Sequence, residues 1–150
     1  MGPAVRHGSG ALLLLGLAGG TVGAAAPGAE VVVRVEGLRS ESGQILACLT
    51  ANPRQFPDCR RDPAAHKLSV PARRGATIDF GRIGSGRYAI ALLHDENGNG
   101  RADMTMMIPR EGFGFSRDAP ARFGPPTFDR AAFAIGDTPV SQMIRMRYIF

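Results

Sequence analysis

The sequence predicts a small all-β protein, an antiparallel β-sandwich, and three observations carry that prediction. Apolar residues recur with period two in runs of strand length, glycine- and proline-rich turns separate the runs, and helical periodicity is lacking beyond the first residues. Short strands at regular spacing around Gly/Pro turns are the pattern of two packed sheets.

The elements follow in chain order. A short basic region (Arg6, His7) leads into the apolar run Ala11 to Leu17 and ends in small residues at Val22-Gly23-Ala24-Ala25-Ala26. This reads as a cleavable secretory signal over residues 1–26, with cleavage near Ala24 to Ala26. The run falls short of the ~20 apolar residues that cross a bilayer, so no membrane span is expected in the mature chain. With no cysteine at its end, a lipid anchor is not supported. The expected compartment is periplasmic or secreted, and residues 27–150 have the length of one domain.

Ala29 to Val35, Gln44 to Leu49, Thr77 to Phe80, Arg87 to Leu93 and Met143 to Phe150 are the predicted strands, the last with Arg145 and Arg147 set against Ile144, Met146 and Tyr148. Turns are predicted at Arg39 to Gly43 and at Gly81 to Gly86. Between Ala119 and Phe133 there is room for one short helical turn, which the prolines keep short.

The formal charge of +5 falls to +4 once Arg6 leaves with the signal, and every basic residue except Lys67 is arginine. These arginines are scattered, without a basic helix or interleaved aromatics, so nucleic acid is not an expected partner. Cys48 and Cys59, an even pair in an oxidising compartment, are expected to form a structural disulfide. A redox pair would normally be C-x-x-C, and a zinc site needs more ligands than His66 and His94 obviously supply.

The richest segment is His94-Asp95-Glu96-Asn97-Gly98-Asn99-Gly100-Arg101-Ala102-Asp103. Oxygen-bearing side chains at alternate positions followed by glycine suit a loop wrapped around a hard cation, with calcium the expected ion. Asp95, Asn97, Asn99, the Arg101 carbonyl and Asp103 are the candidate ligands, and Glu111, after an apolar strand Met104 to Ile108 and the break at Pro109, could fold back to complete the shell. An EF-hand is disfavoured, because its twelfth position is Met106 instead of glutamate. A plain hairpin turn, in which Asn and Asp bond their own backbone, explains the Asn-Gly pairs equally well. Both readings stay open on sequence alone.

Two resemblances add to this. Ile83-Gly84-Ser85-Gly86-Arg87-Tyr88-Ala89-Ile90-Ala91 resembles the turn into a core strand in sandwich domains related to transthyretin and to carboxypeptidase regulatory domains, with an immunoglobulin-like sandwich as the alternative. More specifically, H-D-E-N-G-N-G-x-x-D, then I-P-x-E-G-F-G-F-S, then G-P-P-x-F-x-x-A-x-F resemble the secreted bacterial family known as domain of unknown function 2141. That resemblance implies an exported, compact β domain with its signature residues around the loop, and it implies no activity.

His94, Phe113, Phe115 and Ser116 form a candidate ligand face, because alternate aromatics in Gly112-Phe113-Gly114-Phe115 can share one side of an extended segment. The competing expectation is that Phe113, Phe115, Phe128 and Phe133 are core. Catalytic residues are not expected: there is no G-x-S-x-G elbow, H-E-x-x-H helix or phosphate loop, and consecutive His94, Asp95 and Glu96 point to opposite faces of a strand. The expected function is an exported non-catalytic binding module, its loop held by calcium and its partner a protein or glycan of the cell envelope. A metal-free structural envelope accessory is the alternative, and a hydrolase the minor one.

Overall fold

A computed structural model of the chain describes Gly2, residues 23–105 and residues 108–150. The predicted signal segment lies almost wholly outside the described residues. The described residues are all-β, built from ten strands and two short helical turns: β1 (Gly28–Glu36), β2 (Gln44–Thr50), β3 (His66–Pro71), β4 (Thr77–Gly84), β5 (Gly86–Asp95), β6 (Met104–Thr105), β7 (Ile108–Pro109), β8 (Gly112–Phe115), β9 (Phe133–Ile135) and β10 (Val140–Arg145), with a 3-10 turn at Ser116–Asp118 and α1 at Phe128–Ala131.

Two sheets face each other. One runs in the order β10-β1-β4 and the other β3-β2-β5-β8, with β9 pairing the start of β5. The alternation of β1 explains its place: Ala29, Val31, Val33 and Val35 are buried while Glu30 and Arg34 are exposed and Val32 is half-buried, so one face is dry and the other meets solvent. The dry face meets Ile45, Ala47 and Leu49 of β2, Ile90 and Leu92 of β5, and Ile144 of β10 in the main core.

β5 is buried on both faces, which is why it reads as a nearly unbroken apolar run. Its even positions Ile90 and Leu92 line the main core, whereas Ala89 and Ala91 face outward into a second cluster with Phe115, Ala119, Phe128, Ala131 and Ala132. Segment 116–132 is thus a cover for the back of this sheet.

Several expectations need correction. β10 pairs with β1 in parallel, not antiparallel, because the chain crosses from one sheet to the other before returning beside its first strand. The predicted last strand, Met143 to Phe150, forms earlier, at Val140–Arg145. Its alternation nevertheless persists: Met146 is buried, Tyr148 packs on the core, and Arg147 bridges to Phe113 through Phe113 N–H to Arg147 O at 3.0 Å and Arg147 N–H to Phe113 O at 2.8 Å. The continuation of β10 thereby ties one sheet to β8 of the other.

Three strands have no counterpart among the predicted ones: β3, β8 and β9. β3 lies at the end of its sheet and is exposed at five of its six positions, so no apolar alternation marks it. The predicted strand Met104 to Ile108 is instead a tight pair, Met104 opposite Pro109 and Thr105 opposite Ile108. It follows that β5 takes β8 as its hairpin partner.

Candidate functional site

The loop after β5 is assembled from the backbone outward. Asp95 ends the strand fully buried, and its carboxylate gathers the start of the loop: Oδ1 accepts the Asn99 N–H at 3.1 Å, and Oδ2 accepts the Gly100 N–H at 2.8 Å and the Gln44 amide at 2.8 Å. Burial opposes ionisation of Asp95, but these donors outweigh it and hold its carboxyl below the ordinary range. Asn97 Oδ1 accepts the Asn99 N–H at 3.1 Å and Asn99 Oδ1 accepts the Arg101 N–H at 3.0 Å, so consecutive Asx turns draw these side chains inward. Their amide groups then converge on Asp103: Asn97 Nδ2 donates at 2.6 Å, and Asn99 Nδ2 contacts both oxygens at 3.0 Å.

Glu111 folds back as expected. The β6–β7 pair reverses the chain, Arg110 N–H donates to Asp103 O at 2.9 Å, and Glu111 Oε2 accepts the Asp103 N–H at 3.2 Å. Glu111 is 5% exposed. Burial first, and then the charges of Asp95 and Asp103, push its carboxyl above the ordinary range. The loop therefore brings together Asp95, Asn97, Asn99, Asp103 and Glu111, while Arg101 contributes a backbone N–H bond and an exposed side chain. As these side chains lie, no three His, Cys, Asp or Glu among the described residues form a ready metal cage. The amide nitrogens of Asn97 and Asn99 occupy the inward positions; a half-turn of each amide would present oxygen there instead.

The four residues of the expected ligand face turn inward. His94 is fully buried between Tyr148 Oη, at 2.7 Å from Nδ1, and Ser42 O, at 2.9 Å from Nε2. A carbonyl only accepts, so Nε2 carries the proton and Nδ1 accepts from the tyrosine hydroxyl. Ser116 is fully buried, donating to Ala131 O at 2.6 Å and accepting the Ile90 N–H at 2.9 Å. Phe113 and Phe115 do share one side, with ring centroids 5.9 Å apart, but that side is the second core cluster. Phe56 and Phe128 close on the same cluster, whereas Phe133 packs against the main core. The aromatic segment is core.

An arginine hub beside the loop has no motif to announce it. Arg39 lies over the Tyr148 ring at 4.5 Å, holds Glu96 Oε1 at 3.2 Å through Nε, and reaches Arg110 O at 3.2 Å and Phe150 O at 2.6 Å. The Arg39 guanidinium, with the Ser40 hydroxyl, brings the Glu96 carboxyl down to about 2. Only the tertiary fold brings positions 39, 96, 110 and 148 together. At the opposite end of the sheet, Cys48 and Cys59 are joined in the expected disulfide, with Cα atoms 6.4 Å apart.

Fold and loop together define a small two-sheet β domain with a disulfide-pinned excursion at one end and an Asp/Asn-rich loop at the other. A family model described as "Uncharacterized protein conserved in bacteria (DUF2141)" matches residues 33–143, and the chain belongs to that family. No curated protein and no solved structure matches it.

Proposed function

We propose that this protein is an exported, non-catalytic binding module of the bacterial envelope whose 95–111 loop is held in shape by calcium. The observation that carries this reading is the crowding of Asp95, Asp103 and Glu111 around two inward-turned asparagines. The charges of Asp95 and Asp103 contribute to the raised Glu111 carboxyl, a repulsion that a divalent ion relieves. The non-catalytic reading is supported by His94 and Ser116, whose polar atoms are fully engaged inside the fold. Among the described residues no helix is long and apolar enough to cross a membrane. Export rests on the leader and on the disulfide.

The metal-free accessory reading has its own observation. Asp95 already meets three donors and Asp103 takes the asparagine amides, so the loop closes on its own hydrogen bonds. Thermal unfolding of oxidised, chelator-treated protein separates the two. Calcium at about 100 times its dissociation constant adds roughly 2.7 kcal/mol and raises the midpoint by several degrees, while magnesium does not. Asp103→Ala is expected to abolish the rise. No shift in wild type at millimolar calcium leaves the metal-free reading standing.

A further inference from the structure

We propose that the 51–65 excursion between β2 and β3 is a pre-organised anion site that recognises a phosphate-bearing headgroup or small phosphate ester. A β2–β3 hairpin needs only a few residues, and this connection spends fifteen without forming a strand. Loops of that length are uncommon in small domains unless they carry function. The excursion is also firmly held. Cys48 on β2 is joined to Cys59, the Thr50 hydroxyl donates to the buried Asp62 carboxylate, Asn52 Oδ1 accepts the Arg54 N–H at 3.0 Å, and the Cys59 N–H donates to Gln55 O at 2.7 Å. Phe56 anchors it to the second core cluster, edge-on to Phe115 and Phe128.

What the rigid loop presents is charge. A cleft of about 430 Å³ is lined by Arg54, Gln55, Phe56, Asp58, Arg60 and Arg61, and all three arginines are exposed. Among the described residues no carboxylate forms an ion pair with Arg54 or Arg61, while Lys67 Nζ donates to Arg60 O at 3.3 Å and its charge acts on the Asp62 carboxylate. Arg60 bonds Asp58 at 2.6 Å through Nε, a bond in which its two Nη groups take no part. Guanidinium forks match the oxygens of a phosphoryl group, and a loop backbone held in advance lowers the ordering cost of bringing the arginine stems together. The cleft suits a headgroup-sized ligand.

This site deepens the binding-module reading by naming a ligand class, yet it fails independently of the calcium loop. Gln44 of β2 pairs with Asp95 while Thr50 pairs with Ala89, so the two loops leave opposite ends of the sheet, about 20 Å apart. The test is binding of glycerol phosphate by calorimetry, and of phosphatidylglycerol vesicles against phosphatidylcholine by sedimentation, in calcium-free, low-salt buffer. Saturable binding to either phosphate source is expected, weakening as salt rises. Binding of the soluble ester assigns a small phosphate ester; binding of the anionic vesicles alone assigns a lipid headgroup. Arg54→Gln/Arg61→Gln should weaken binding at least tenfold with an unchanged melting midpoint. Arg73→Gln/Arg74→Gln, which removes the same charge at the turn before β4, should change it less than twofold. Absence of saturable binding to both probes, or equal loss in the two double variants, overturns the proposal.

Discussion

Asp118 shows how much one exposed carboxylate can hold at this molecule's seam. It accepts the Arg145 N–H at 3.2 Å and the Arg147 guanidinium at 3.0 and 2.8 Å, clamping the 3-10 turn to β10 and its continuation. Burial works against its ionised form, but the arginine and the backbone donor outweigh it and lower its carboxyl below the ordinary 3.8. A carboxyl depressed in the folded state contributes stability that is present above its unfolded value and lost as pH falls through the folded one. The Asp118 and Arg147 side chains are 45% and 35% exposed, so solvent screening limits the pair. Asp118→Asn is therefore expected to cost roughly 0.5 to 1 kcal/mol at pH 7 and progressively less below about pH 4, read from urea unfolding of both proteins across that range. A constant difference from pH 7 to pH 2 would contradict this account.

At the scale of elements, β8 explains the Gly-Phe-Gly-Phe motif. The phenylalanines fill the second cluster, and the glycines face the other way, where the end of β10 and its continuation lie against them. A Cβ on Gly112 would strike the Tyr148 ring, and one on Gly114 would sit 2.6 Å from Ile144 Cγ2 and 3.1 Å from Arg145 O. Tyr148 is not free to retreat, since its hydroxyl bonds His94 and its ring carries Arg39. Gly112→Ala and Gly114→Ala are each expected to destabilise by about 1 to 3 kcal/mol. Gly136→Ala, where nothing lies within 4 Å, should change stability little. Equal effects at all three positions in thermal unfolding would remove close approach as the reason for these glycines. The motif was legible in the sequence as alternation; what the glycines made room for was not, because their neighbours lie some thirty residues away.

Across the whole molecule, the disulfide staples the excursion that carries Phe56 into the second cluster. A bridge between residues 11 apart constrains the unfolded chain by about 2 to 3 kcal/mol. Cys48→Ala/Cys59→Ala should lower the unfolding free energy by about that amount, measured by urea titration against the oxidised wild type. An unchanged midpoint would mean that the Thr50–Asp62 bond and Phe56 alone hold the loop.

Local pattern by itself determined the all-β class, the position of β1, β2 and β5, the cysteine pair, the short helical turn inside 119–133 and the family. Each of these is written in alternation, in turn chemistry or in motif spacing along contiguous residues. It offered Glu111 as a residue that could fold back on the loop, and the β6–β7 reversal sets its carboxylate on the Asp103 N–H. The tertiary structure alone decided that β10 runs parallel to β1 and that β8 replaces β6 as partner of β5. It alone decided that His94, Ser116, Phe113 and Phe115 are interior and that Arg39, Glu96 and Tyr148 meet. Those outcomes depend on which segments share a sheet and what covers its back, and contacts between residues far apart in the chain leave no local period to read.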